Sequence, residues 1–162
     1  MSTTARLQRL RAEVASDRKA ALERIDELAG LDIRPDGEAG ELARAAVALH
    51  HAYGAVEALL ARVARTLGEG EPGGRDWHQE LLLSMGLEIE GVRPAVLGTE
   101  SVRLLRRLLA FRHFFRHAYA VALDPEQLSR LKEDATELRP HLQRDLDRLD
   151  AFLARLARTP GA

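Results

Sequence analysis

The sequence predicts an all-α fold, an antiparallel bundle of four or five helices in one domain over residues 1–162. Apolar residues recur at three- and four-residue steps in almost every long segment, which is the spacing of an amphipathic helix. No run alternates with period two for long enough to indicate a sheet. The breaks between the segments are short and contain Gly and Pro. A chain of 162 residues fits one domain and leaves little room for a second.

The first two helices are predicted from this spacing and from the breaks around them. Apolar positions from Leu7 to Leu28 indicate a helix over residues 4–29, with Gly30 as its C-cap. The stretch LDIRPDGEAG at 31–40 is predicted to be a loop. A second helix is expected over residues 41–67, where the Gly-rich segment GEGEPGG ends it.

The third helix is short and begins at Asp76. The sequence D-W-H-Q resembles a capping box, with Asp76 as N-cap and Gln79 at N3. This helix is expected to run to about Met85. Residues 86–98 contain an Arg-Pro pair and a Gly, and they are predicted to form another loop.

The last two helices are predicted from their starting residues and from a leucine seam. Thr99 is expected to cap a helix over residues 100–122. Asp124 followed by Pro is a strong helix start, and a leucine seam extends from there to Leu156. Pro140 lies inside that seam, and it predicts a kink or a split of the helix near Arg139.

Composition excludes several kinds of chemistry. The chain has no cysteine, so disulfides, thiolate catalysis and zinc–thiolate sites are excluded, and a reducing compartment is compatible. Net charge is −1, so nucleic-acid binding would have to rest on a local basic patch. The N-terminus lacks the apolar core of a signal peptide, and no apolar run approaches the ~18 residues of a membrane span. A cytoplasmic protein that does not contact the membrane is expected.

The fourth predicted helix carries an uncompensated basic stripe. Between Ser101 and Leu123 there is no Asp or Glu, whereas elsewhere acids and bases are mixed. Five arginines lie in this stretch: Arg103, Arg106, Arg107, Arg112 and Arg116. Their partner can be acids on another helix, solvent or a phosphate backbone. For a basic stripe in general, the first two are the more common arrangement.

Within that stripe, the segment AFRHFFRHAYA at 110–120 concentrates histidine and arginine. His113 and His117 are four residues apart and share a face. Arg112, Arg116 and Tyr119 line an adjacent face. On an ideal helix Arg112 and His117 are roughly 140° apart, a gap that a long arginine side chain narrows. The neighbouring Phe114 and Phe115 are expected to anchor the helix in the core or in a subunit interface.

An Arg–His set without acids or cysteine suits phosphate chemistry. Histidine titrates near neutral pH and moves protons, and arginine donates paired hydrogen bonds to phosphate. Such a set can cleave RNA without a metal: a histidine takes the 2′-OH proton, the oxygen attacks phosphorus, and an arginine stabilises the anionic transition state. The leaving group needs a second acid, for which another histidine is a candidate.

The segment from Arg112 to Tyr119 fits the pattern Arg-x4-His-x-Tyr, with His117 as its histidine. It resembles the signature of HEPN-domain ribonuclease toxins of the HepT type, in which a polar residue, here His113, follows the Arg. Similar features extend over roughly residues 40–135. They are Tyr53 and Glu57 on an earlier helix, Trp77-His78 with Leu81-Leu82, and Arg93-Pro94 before the motif helix.

The resemblance implies more than a fold. It implies a homodimeric HEPN-like bundle whose two motifs form one RNA-cleaving cleft, with Arg112 and His117 catalytic and His113, Arg116 and Tyr119 supporting. No cofactor or metal is implied. It also implies the toxin role in a type VII-like toxin–antitoxin pair. The antitoxin would be a minimal nucleotidyltransferase that adds AMP to Tyr119, placing negative charge and bulk beside Arg112 and Arg116.

Other interpretations of the same residues stay open. Arg112 and His117 could pair with carboxylates of neighbouring helices, Tyr119 could be a core aromatic, and Glu57 could pair with a motif arginine or assist catalysis. His113 and His117 have zinc-ligand spacing, but no third ligand is near in sequence. His78 is more often structural in such a position. The alternative function is a non-catalytic HEPN partner that binds nucleotides or presents substrate to a nucleotidyltransferase, and a purely structural bundle is a third.

Overall fold

Five helices account for most of the residues that the computed structural model describes, which are 2–70, 73–117 and 122–159. In chain order they are α1 (Thr3–Ala29), α2 (Ala39–Thr66), α3 (Trp77–Met85), α4 (Thr99–His117) and α5 (Pro125–Leu156). Those ranges hold no strand, only an isolated antiparallel bridge between Ile89 and Arg93. The predicted all-α fold is confirmed.

Side-chain pairs between the long helices show that neighbouring helices run antiparallel. Arg11 of α1 pairs with Asp150 of α5 at 2.8 Å, whereas Asp26, near the other end of α1, pairs with Arg139 at 2.6 Å. The same reversal of order holds for α1–α2, α4–α5 and α2–α4, in the pairs Arg6–Thr66, Asp17–Arg62, Ser101–Asp145, Arg107–Asp134, His50–Phe115 and Glu57–Arg112. The four long helices therefore form an up-and-down bundle.

The core lies between these four helices, and α2 contacts each of the others. The leucine seam of α5 is buried as its spacing predicts, from Leu128 at every helical step to Leu153. α2 buries residues around much of its circumference because α1, α4 and the short α3 all pack on it. Burial of this apolar surface is the main stabilising contribution to the bundle.

The helix ends agree with the sequence at three predicted caps and differ at the fourth. Gly30 is the C-cap of α1, and Asp124 caps α5 by accepting a hydrogen bond from the Glu126 amide at 3.0 Å. Asp76 is the N-cap of α3 as predicted, but the capping box itself is not formed, because the Asp76 side chain accepts no capping bond and only its carbonyl oxygen accepts the first helical bonds. Thr99 lies inside α4 as its first residue.

The start of α4 is capped from another helix. The buried carboxylate of Asp145, on α5, accepts hydrogen bonds from the Gly98 amide at 3.0 Å and from the Ser101 hydroxyl at 2.5 Å. Asp145 thereby supplies the acceptor that an N-cap side chain normally supplies. This partner is 44 residues or more away in sequence, so a local pattern could not indicate it.

Of the two outcomes expected at Pro140, a kink or a split, the split does not occur. α5 is one helix from Pro125 to Leu156, with Pro140 inside it. Pro140 is exposed, so its ring faces solvent, and Leu138 and Leu142 on either side are both buried in the core. Tertiary packing of the leucine seam therefore compensates for the hydrogen bond that proline removes.

A buried arginine fixes the connection between α3 and α4. The Arg93 side chain has no solvent exposure, and it donates to both oxygens of Glu69, at 2.5 and 2.8 Å. It also donates to the carbonyl oxygens of Leu87 at 2.8 Å and Ser84 at 3.1 Å. A planar guanidinium that satisfies several acceptors at once locks this loop, and so sets how α4 enters the bundle.

Candidate functional site

Arg112 lies on the inner side of α4 and faces α2. Only 13% of its side chain is exposed, and its Nη2 is 3.9 Å from Oε1 of Glu57. The guanidinium carbon is 5.7 Å from the centre of the Tyr53 ring, within the range of a cation–π contact. Its buried Nε has no hydrogen-bond partner among the residues that the structure describes. Since buried polar atoms are nearly always hydrogen-bonded, this uncommitted donor is an unusual feature.

Glu57 is the residue that joins Arg112 to a third helix. Its side chain is 9% exposed; one oxygen faces Arg112, and the other lies 2.7 Å from Nδ1 of His78 on α3. An ionised carboxylate only accepts hydrogen bonds, so Nδ1 of His78 carries the proton in this pair. That assignment leaves Nε2 of the neutral imidazole as a hydrogen-bond acceptor.

His78 is held on two sides. Besides Glu57, its ring lies against the indole of Trp77, with ring centroids 3.7 Å apart and planes inclined by 31°. Trp77 is half-buried and packs on the core cluster. A carboxylate–histidine pair with a fixed ring is the arrangement that orients many acid–base histidines. A purely structural role, as expected for His78, does not account for its position, because Glu57 contacts both His78 and the motif residue Arg112.

Tyr53 closes the inner side of this cluster. It is buried one helical turn before Glu57. Burial raises the pKa of the Tyr53 phenol far above its usual value; the negative charge of Glu57 raises it further, whereas Arg112 acts in the opposite direction. Tyr53 is neutral at physiological pH and supplies the aromatic face under Arg112.

The remaining motif residues are only partly within the described structure. His113 is exposed on α4, next to Arg112 in sequence. His117 is the last described residue of α4, but its side chain and that of Arg116 lie outside what the structure describes, as does Tyr119. The structure thus gives the positions of the Arg112 and His113 side chains, and the predicted roles of all five motif residues stay predictions.

The phenylalanines of the motif helix separate into two groups. Phe111 is buried and stacks on the half-buried Phe115 at 6.0 Å between ring centres, which anchors the helix in the core. Phe114 is 43% exposed. Of the two expected anchors, only Phe115 faces the core of this chain.

The basic stripe divides according to the helix face. Arg103 pairs with Glu137 and Arg107 with Asp134, both at 2.9 Å, so two of its arginines neutralise acids of α5. On the face that carries Arg103 and Arg107, the stripe therefore pairs with acids of another helix, which is one of the two more common arrangements for a basic stripe. Arg112 points the other way, towards the buried carboxylate of α2.

Sequence reasoning missed the link between Glu57 and His78. They are 21 residues apart on different helices, and neither belongs to the Arg-x4-His-x-Tyr segment. The family-like features included both residues without linking them, and Glu57 also shares a helical face with Tyr53 inside an otherwise apolar stretch of α2. A carboxylate at a core position requires a partner, and here Arg112 and His78 both face it.

Two further searches concern the described part of the chain. Among those residues, no group of three or more His, Cys, Asp or Glu side chains could hold a metal ion. No helix among them combines the length and apolar character that crossing a bilayer requires.

Comparison with known proteins gives one match. No curated protein matches the chain, and no solved structure does. The family model described as HepT-like protein matches residues 44–153, well over half of the chain. That range begins in α2 and ends in α5, so it contains the Tyr53–Glu57–His78–Arg112 cluster and the motif helix. The chain belongs to the HepT-like family.

Proposed function

We propose that this protein is a metal-independent endoribonuclease and the toxin of a type VII-like toxin–antitoxin pair. Arg112 binds the scissile phosphate and stabilises the transition state, and His117 acts as acid or base. His113, Arg116 and Tyr119 complete the site. Membership of the HepT-like family supports the toxin context. The observation that carries the proposal is the buried guanidinium of Arg112, which has a free Nε donor and no hydrogen bond to another described residue.

A buried guanidinium of this kind is prepared for an anion. Glu57 lies 3.9 Å away, beyond hydrogen-bond distance, so it balances the charge of Arg112 without occupying its donors. The ring of Tyr53 supports the guanidinium plane. A phosphate can then accept paired hydrogen bonds from donors that are already desolvated and positioned.

The reaction needs two proton transfers. His117 takes the 2′-OH proton, the 2′-oxygen forms a bond to phosphorus, and the bond from phosphorus to the 5′-oxygen breaks. The departing 5′-oxygen takes a proton from a second acid, which leaves a 2′,3′-cyclic phosphate and a 5′-hydroxyl. His78, oriented by Glu57 beside Arg112, is our candidate for that acid in its protonated form. No step requires a metal.

Control of the toxin is proposed to act on the same helix. In the proposed homodimer, two motif helices face each other across one cleft. The antitoxin, a minimal nucleotidyltransferase, transfers AMP to Tyr119, two residues beyond His117. The added phosphate brings negative charge to the neighbourhood of Arg112 and Arg116, where it competes with the RNA phosphate.

RNA cleavage by the purified protein in EDTA tests the nuclease. We expect cleavage that leaves 2′,3′-cyclic phosphate ends, is abolished in Arg112→Ala and His117→Ala, and persists in Arg103→Ala. The last is a matched control because Arg103 lies on the same helix but pairs with acids on the other face. Arg112→Lys keeps the charge and loses the paired geometry, so it should be inactive while still folding.

The outcomes separate the alternatives. Unchanged cleavage in Arg112→Ala and His117→Ala would refute the assigned roles. No cleavage by wild type that mass spectrometry shows to be free of AMP would favour the non-catalytic nucleotide-binding partner. Inactive protein with AMP on Tyr119 that becomes active when expressed without its nucleotidyltransferase would support a silenced nuclease.

A further inference from the structure

A pocket of about 380 Å³ lies between the start of α3 and the middle of α4. Arg75, Asp76 and His78 line it on the α3 side, and Arg106 and His113 on the α4 side. It holds two arginines and two histidines against one carboxylate, so its lining is basic. Neither arginine belongs to the Arg-x4-His-x-Tyr segment. Arg75 is on the loop before α3, and Arg106 is two turns before His113 on α4.

The two arginines of the pocket are available to bind a ligand. Neither Arg75 nor Arg106 makes an ion pair or side-chain hydrogen bond with another residue that the structure describes, and both are exposed. Their neighbours differ, since Arg103 and Arg107 on the same helix pair with acids of α5. Arg106 therefore belongs to the part of the basic stripe that no protein acid neutralises.

The position of the pocket connects it to the proposed reaction centre. Arg106 and His113 are seven residues apart, about 10.5 Å along one face of α4, and four residues further the same face reaches the position of His117. The pocket also shares a wall with the centre, because the ring of His78 lines the pocket while its Nδ1 contacts Glu57. A strand whose scissile phosphate lies at Arg112 would pass this pocket.

We propose that this pocket binds a second phosphate of the RNA strand, a neighbour of the scissile one, between Arg75 and Arg106. The inference rests on the proposed function, because it takes RNA as the ligand of the motif helix. Arginine donates paired hydrogen bonds to phosphate oxygens, and both side chains are free to do so. The described lining presents two arginines and two histidines against one carboxylate, a donor-rich set that suits a phosphate group.

Binding to RNA that cannot be cleaved tests the pocket independently of catalysis. The probe is a fluorescein-labelled 2′-O-methyl oligonucleotide, because its blocked 2′-oxygen cannot attack phosphorus. Fluorescence anisotropy gives Kd for wild type, Arg75→Ala, Arg106→Ala and the double variant over a series of salt concentrations. Arg155→Ala is the matched control, an exposed arginine on α5 outside this pocket that makes no ion pair with other described residues.

The expected result is a graded loss of phosphate contacts. Each neutralised phosphate of single-stranded nucleic acid contributes about 0.7 to the slope of log K against log salt, so loss of this one phosphate in the double variant should flatten the slope by about 0.7, and each single variant should flatten it by part of that. Affinity at low salt should fall roughly tenfold per arginine, and Arg155→Ala should match wild type. On cleavable RNA the pocket variants should show a raised KM and a retained kcat.

Failure of the pocket is distinguishable from failure of the nuclease. Wild-type slope and Kd in the double variant would overturn the pocket whether or not RNA is cleaved. A flattened slope in a protein that cleaves nothing would support the pocket and contradict the proposed catalysis. Displacement of the RNA by millimolar AMP in wild type, with an unchanged salt slope in the double variant, would indicate a free-nucleotide site and overturn the RNA assignment.

Discussion

Replacing Glu57 by Gln tests whether a buried carboxylate balances the motif arginine. The substitution keeps the size of the side chain and one acceptor oxygen, and it removes the negative charge. That charge lies 3.9 Å from Nη2 of Arg112 and 2.7 Å from Nδ1 of His78, with 9% of the side chain exposed. After the change, Arg112 remains 13% exposed without a counter-charge among the described residues.

The magnitude follows from the geometry. Two unit charges at this separation attract by about 4 kcal/mol at an effective dielectric constant near 20. Part of that is offset, because Gln does not carry the cost of burying a charge as Glu57 does. The retained acceptor oxygen also preserves part of the hydrogen bond to His78. We expect Glu57→Gln to lower the free energy of unfolding by about 2 kcal/mol.

Urea unfolding followed by far-UV circular dichroism measures the loss. Glu80→Gln is the control, because Glu80 is exposed on α3 and makes no ion pair with other described residues, so it should change stability by less than about 0.5 kcal/mol. A double-mutant cycle with Arg112→Gln should show a coupling of at least about 1 kcal/mol. Equal stability of the Glu57 and Glu80 variants, or additivity in the cycle, would refute the reasoning.

Two other predictions concern a buried phenol and a proline. Because the pKa of Tyr53 is raised in the fold, the folded state holds its proton more tightly, and the resulting stability is lost as pH rises above the unfolded value of about 10. In Tyr119→Phe, which leaves Tyr53 as the remaining tyrosine, absorbance at 295 nm should rise only as circular dichroism reports unfolding; a phenolate step near pH 10 in folded protein would contradict this. Pro140→Ala restores a hydrogen bond inside continuous α5 and should raise the free energy of unfolding by about 2 kcal/mol after allowing for a more flexible unfolded chain. Unchanged or lower stability in urea unfolding would show that α5 is adapted to the proline.

The sequence predicted the fold well because the spacing of apolar residues along the chain indicates where each helix forms. The apolar period placed all five helices to within a few residues at every described end, and α5 buries the leucines that its seam predicts. The errors occurred where a distant residue replaces a local signal. Asp145 caps α4 from α5, and packing of the seam carries the helix through Pro140.

In the candidate site, too, local features were predicted and contacts between helices were not. The Arg-x4-His-x-Tyr segment and its place on a helix could be predicted from the sequence. Residues four apart on one helix are neighbours whatever tertiary contacts surround them. A pairing of Glu57 with a motif arginine was among the open interpretations, but its contact with His78 was not. His78 reaches it from a separate helix, and Arg112 reaches it across the α2–α4 contact.

The sequence by itself determined that the chain is a helical bundle and that one helix carries arginine and histidine in a phosphate-handling pattern. Only the tertiary structure decided which arginines are neutralised: α5 supplies acids to Arg103 and Arg107, while Arg106 and Arg75 are left facing a pocket. The physical reason is that charge compensation depends on distances of a few ångströms between helices, and those distances follow from core packing far from the charges themselves.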